Sequence, residues 1–175
     1  MSRTKKFFYN SMTTAFYQII IMIAGFITPR IMLKYYGSEI NGLVSSINQF
    51  IVYFNLVEAG LSGAAIYALY KPLAENNHKA INSIVSAAKK FYTQSGYIFL
   101  SLTVGLAVFY PYFVKTSILT PFYVGVLVLI LGVNGALEFF TLSKYRVLLS
   151  ADQKTYVISL ASMVHIIVNT IVVLM

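Results

Sequence analysis

Long apolar runs separated by short basic or polar interruptions set the pattern of this chain. Five of them reach the roughly 20 mostly apolar residues that a bilayer-crossing helix needs: 7–33, 43–70, 91–114, 121–142 and 156–175. The first two are longer than a crossing requires, which implies tilt or projection beyond the bilayer. Gly37 follows the first run, where a helix end favours a residue at ease in the left-handed region. Pro72 closes the second, and Thr120–Pro121 reads as the N-cap and first helical residue of the fourth. Tyr35 with Tyr36, Tyr67 with Tyr70, Phe91 with Tyr92, Tyr110 with Tyr112, and Phe122 with Tyr123 stand at run ends, the depth that amphipathic rings prefer. Between 77 and 90, Ile81, Ile84, Val85 and Ala88 recur at helical spacing opposite Lys79, Ser83, Ser86 and Lys90. This predicts a short amphipathic helix on the cytoplasmic surface, running into the third span. The expected fold is all-α, a polytopic membrane helix bundle of about five transmembrane helices in one unit, 1–175.

Composition identifies the solvent as lipid. Apolar residues make up 58% of the chain and charged residues 10%, with mean hydropathy +0.75. A water-facing domain of this size carries about 25% charged residues. The net charge of +8 comes from short basic clusters between apolar runs. That distribution suits loops beside anionic lipid and argues against a nucleic-acid partner. The absence of Cys excludes disulfides, Cys-ligated zinc and thiol catalysis. Arg3, Lys5 and Lys6 precede an apolar run too long for a signal peptide, with no small-residue cleavage site, so it reads as an uncleaved first span. One set of connections holds Arg3, Lys5, Lys6, Lys71, Lys79, Lys89, Lys90, Lys144, Arg146 and Lys154; the other holds Lys34 and Lys115, with Arg30 just inside the first span. The imbalance predicts a multi-pass protein of the cytoplasmic membrane with a cytoplasmic N-terminus. The last run reaches Met175 without a polar tail, which reads as part of a longer chain.

Polar residues inside the runs are costly in hydrocarbon, so they face other helices or a wet cavity. They form three stripes: Ser11, Thr14, Gln18, Gly25 and Thr28; Asn48, Asn55, Glu58 and Ser62; and Thr155, Ser159, Ser162, His165 and Asn169. For most Ser and Thr, helix–helix packing is explanation enough, and Gly60 with Gly63 or Gly132 with Gly135 suits close helix approach. Glu58 lies mid-span, where a charge costs about 3 kcal/mol or more. It is protonated, paired or facing water, and either couples an ion or bonds a neighbouring helix. His165 is also mid-span. Arg30 follows Pro29 and offers a planar fork for phosphate, or snorkels to the headgroups. Glu138 lies within reach of Lys144 or Arg146, and a surface ion pair is the plain reading. Gln18, Asn48, Asn55, Glu58, His165, Asn169 and Arg30 are the candidate substrate-binding residues. With two isolated His, no H-E-x-x-H, no P-loop and no nucleophile beside a base, no metal, cofactor or enzymatic activity is expected.

Several strings carry a family resemblance. Pro29-Arg30-Ile31-Met32-Leu33 and Tyr36-Gly37-Ser38-Glu39-Ile40-Asn41-Gly42-Leu43 are followed by Glu58-Ala59-Gly60-Leu61 and Ala68-Leu69-Tyr70-Lys71-Pro72-Leu73. Leu148-Leu149-Ser150-Ala151-Asp152-Gln153-Lys154 completes the set. Their order and their placement at span ends resemble Wzx-type polysaccharide flippases of the multidrug/oligosaccharidyl-lipid/polysaccharide (MOP) exporter superfamily. The resemblance implies most of the N-terminal lobe of a two-lobed transporter, whose missing C-terminal lobe would be its partner. It implies alternating access for a lipid-linked oligosaccharide, usually carried on undecaprenyl diphosphate, with Arg30 the best match to the basic residues that meet the diphosphate. An ion-coupled multidrug exporter of the same superfamily, or a membrane scaffold without cargo, is the alternative. Reporter fusions are expected to place Asn77 inside and Thr116 outside; the reverse labelling would overturn the orientation.

Overall fold

A glycine without a side chain lets two helices touch backbone to backbone, and this contact organises the bundle. The computed structural model describes residues 3–58, 60–114, 116–141 and 143–174. They form six α-helices: α1 (Arg3–Phe54), α2 (Leu61–Ala74), α3 (His78–Phe113), α4 (Pro121–Thr141), α5 (Ser143–Ala151) and α6 (Thr155–Leu174). A short 3₁₀ turn, Asn55–Glu58, joins α1 to the approach of α2. No strand occurs among the described residues. Four helices are long and apolar enough to cross a membrane: α1 with its following turn, α3, α4 and α6. The chain is an all-helical, membrane-spanning protein.

α3 and α4 form the spine. A Cβ on Gly125 would come within 2.9 Å of the Ala107 carbonyl oxygen, one on Gly135 within 2.9 Å of the Phe99 ring, and one on Gly132 would collide with Thr103. Gly132 and Gly135 thus serve the close packing expected of them. At Gly60 and Gly63 an added Cβ would meet nothing within 4 Å among the described residues, and Gly60 adopts a left-handed φ of 87° that serves the backbone. One core joins Leu69 of α2, Tyr92 and Phe99 of α3, Phe139 of α4 and Val147 of α5. A second joins Leu43 and Ile47 of α1 to Ala107, Tyr110, Val124 and Val128.

α1 is 52 residues long but not straight. Gly37 has φ 80° and ψ 174°, a non-helical conformation reached readily without a Cβ. Before it, the helix runs parallel to α6, with Tyr9 against Tyr156 and Thr14 against Ser159. After it, Phe50 meets Tyr110 and Phe54 meets Phe99, so this part runs antiparallel to α3. The expected second span, 43–70, is therefore not one continuous helix. It is divided between the end of α1, the 3₁₀ turn and α2, whose 14 residues reach only about 21 Å. The amphipathic segment at 77–90 and the third span form one 36-residue helix, about 54 Å long. Asn77 caps it by accepting the Ala80 amide at 3.1 Å. Its stripe of Ile81, Ile84, Val85 and Ala88 packs on the core shared with α2 and α5. Lys115, Leu142 and Met175, assigned above to a connection or to span ends, lie outside the described residues.

Gly132→Ala is expected to destabilise the spine by about 1–3 kcal/mol through overpacking. Gly105→Ala, on α3 with nothing within 4 Å, is expected to be neutral or mildly stabilising. Thermal unfolding in detergent checks the contrast, and equal effects would contradict the close approach.

Candidate functional site

The spine and the α1–α6 pair do not close on each other completely. A half-open cavity of about 550 Å³ lies between them, lined by Tyr17 of α1, Asn134 and Glu138 of α4, Tyr145 and Arg146 of α5, and Ser162 and His165 of α6, among others. That volume falls in the range of small-ligand sites. α5 makes the cavity possible. It packs against α2, α3 and α6 and carries Arg146 to the wall where Glu138 stands. The Arg146 guanidinium donates to the Glu138 carboxylate in an ion pair whose side chains are 46% and 42% exposed. The pair foreseen at the surface is thus Arg146–Glu138, and it lines a cavity.

Behind this pair lies the broken part of the second crossing. Glu58 ends the 3₁₀ turn and is half-buried; Glu138 and Arg146 both act on it electrostatically. Tyr92 of α3 is 2% exposed, and its hydroxyl has no hydrogen-bond partner in range among the described residues. It faces Glu58 and Ser62. Two carboxylates, one guanidinium and a buried hydroxyl therefore share one region where α3, α4, α5 and the 3₁₀ turn meet.

Of the seven candidate residues, the structure puts His165 on the cavity wall and Glu58 beside the Glu138–Arg146 pair. Arg30, Gln18, Asn48, Asn55 and Asn169 are exposed and do not line the cavity. Arg30 makes no side-chain hydrogen bond or ion pair among the described residues. The cavity residues Tyr17, Asn134, Tyr145 and Arg146 were not foreseen. Arg146 carried a signal only as a basic residue eight positions after Glu138.

Polar clamps at opposite ends hold the cavity walls. At one end Lys6 donates to the Asp152 carboxylate at 3.0 Å and to its backbone carbonyl at 2.9 Å, while Lys154 reaches the other carboxylate oxygen at 2.6 Å. Asn10 donates to the Gln153 carbonyl at 2.9 Å and accepts the Tyr156 amide at 2.8 Å, tying α1 to the start of α6. Gln153 takes a left-handed φ of 56°, and the Lys154 amide reaches back to the Leu149 carbonyl, a left-handed cap for α5. At the other end the Glu39 carboxylate accepts the Thr116 hydroxyl at 2.5 Å, the Ser117 amide at 2.6 Å and the Ser117 hydroxyl at 3.0 Å.

Partial burial alone would raise the Asp152 carboxyl, but hydrogen bonds and charge from Lys154 and Lys6 outweigh it and hold the group below its ordinary value. A depressed carboxyl stabilises the fold at pH values above its unfolded pKa. That contribution disappears as pH falls below about 4 and through the folded value. Water screens the exposed pair, so it is worth about 1 kcal/mol or less. Asp152→Asn is expected to lower the unfolding temperature at pH 7 by no more than about 2–4 °C, and the gap to wild type is expected to close toward pH 3. A gap that persists at pH 3 would assign the loss to packing.

Comparison with family models, with curated proteins and with solved structures finds no match to the chain.

Proposed function

We propose that this chain forms most of the N-terminal lobe of a Wzx-type flippase of the MOP superfamily, moving lipid-linked oligosaccharide across the cytoplasmic membrane by alternating access. The observation that carries the reading is the half-open cavity, with its Arg146–Glu138 pair, set between two groups of otherwise apolar helices. A diphosphate with attached sugars cannot cross about 30 Å of hydrocarbon unaided. A groove of tyrosine, asparagine, serine and arginine side chains lowers that cost, while the lipid tail remains among the apolar helix faces. The resemblance of the strings at span ends names the class of cargo. The exposed amides of Gln18, Asn48, Asn55 and Asn169 support a further lobe, because such groups within apolar helices favour protein or water over lipid.

In this reading Arg146, on the cavity wall, takes the diphosphate contact expected of Arg30. Movement fits the connections: α1 and α6 pack on each other, and Gly37 and Gln153 mark where their backbones leave helical geometry. In this reading α6 and the first half of α1 rock together against the spine and expose the cavity alternately.

One observation favours a second reading within transport. Glu58 and Glu138 place two carboxylates near the cavity, which is what an ion-coupled exporter of organic cations would use. Complementation of a strain lacking the gene separates the two. Arg146→Ala is expected to lower surface-polysaccharide export about tenfold to a hundredfold at normal membrane abundance, the loss of a charged hydrogen bond. Arg30→Ala is expected to lower it less. Normal export with increased drug sensitivity in both variants would favour the exporter.

A further inference from the structure

The charges around the cavity do not balance. Glu58, Glu138 and Arg146 carry a formal net charge of −1 when ionised, inside a bundle of apolar helices. Arg146 is the only lysine or arginine on the cavity wall among the described residues. The other titratable groups facing this region are Tyr92 on α3, Tyr145 on α5, and His165 on α6 and Tyr17 on α1 across the cavity. A guanidinium fork binds carboxylate and phosphate with the same geometry, so the two compete for it. Both members of the ion pair are nearly half exposed, so a ligand can reach the fork without first unpacking the core.

The geometry points to Glu138 as an exchangeable counter-ion: a phosphate-bearing group entering the cavity takes Arg146, and the Glu58–Glu138 carboxylates take up one proton from water as the guanidinium leaves. The inference rests on the flippase reading for the class of ligand. Two carboxylates that have lost a nearby cation and face an incoming anion do not both stay ionised, because like charge favours the neutral form. The proton belongs to the pair. One O–H bond of a hydronium ion breaks, one O–H bond forms on a carboxylate oxygen, and a water molecule is left. The Tyr92 hydroxyl, buried and without a partner, supplies an oxygen beside Glu58 that can accept from a protonated carboxyl or donate to an ionised one. Anion binding and proton uptake thereby become one event, with Arg146 as the moving contact.

The test is binding of farnesyl diphosphate to the purified protein in detergent micelles, titrated from pH 6 to pH 8. Wild type, Glu138→Gln, Arg146→Lys and Arg146→Ala are compared after gel filtration and circular dichroism establish the fold. Wild-type affinity is expected to tighten as pH falls more steeply than that of Glu138→Gln, by up to about tenfold per pH unit. Titration of the probe itself is common to both and cancels. At pH 8 Glu138→Gln is expected to bind more tightly than wild type, since no carboxylate competes for Arg146. Arg146→Lys is expected to weaken binding, and Arg146→Ala to abolish it. Equal pH slopes for wild type and Glu138→Gln, with binding still lost in Arg146→Ala, would overturn the exchange and leave the flippase reading standing. Wild-type binding unchanged by either Arg146 variant would overturn the anion site. No binding by wild type would remove both the exchange and the diphosphate cargo. Glu138→Gln is nearly isosteric, so the comparison survives even if Arg146→Ala fails to fold.

Discussion

The approach of α4 to α3 along Gly125, Gly132 and Gly135 fixes the positions on which the other helices depend. Lipid gives no hydrophobic drive to helix association, so contact area and backbone proximity must supply it. With the spine closed, the Phe99 ring meets Phe54 on one side and Phe139 on another. α2 and α5 then complete a core around Tyr92, Phe139 and Val147. Glu138 lies one residue from buried Phe139 and six from Gly132, so spine packing sets its position. A looser spine would move Glu138 relative to Arg146 and disturb the one ion pair on the cavity wall.

The α1–α6 pair obeys a different constraint. The first half of α1 has almost no buried surface of its own and is held by α6 along its length and by polar contacts at its ends. Lys6, Asn10 and Glu39 each bridge to a turn more than seventy residues away. Such contacts lie at the water-facing ends, where hydrogen bonds can be exchanged with solvent at small net cost. Strong packing along the spine with exchangeable clamps on the flanking pair is an arrangement that lets one group move while the other stays rigid.

The apolar runs were legible because bilayer thickness imposes a length that any sequence must meet. The start of α4 at Pro121 was legible from local chemistry, whereas the cap at Asn77 was not read from the sequence. The interruption at Asn55–Glu58 was not, since Glu58 and Gly60 within an apolar run read equally well as a continuous helix carrying one charge. Nor was the cavity, because its wall joins Tyr17 of α1 to residues of α4, α5 and α6, which lie far from it in the sequence. The stripe containing Ser159, Ser162 and His165 did point inward, with Ser159 against Thr14 and the other two on the cavity. In the second stripe Glu58 and Ser62 face Tyr92, but Asn48 and Asn55 are exposed, because the change of direction at Gly37 turns that part of α1 toward α3 and α4 through Leu43 and Ile47.

The helix break and the cavity are parts of one polar seam. Interrupting a helix in hydrocarbon leaves backbone groups without partners, and it is tolerated only where protein or water surrounds them. Here the interruption falls beside Tyr92 and Ser62, with Glu138 and Arg146 close enough to act on Glu58. From that point the seam passes between α4 and α5 through the ion pair, into the cavity, and on to Ser162 and His165 of α6. Every polar group along it is contributed by a different turn of a helix whose opposite side is apolar. A seam built this way cannot be widened by moving one side chain. On the rocking motion proposed above, it opens when α6, with the first half of α1 attached, leans away from α4 and α5.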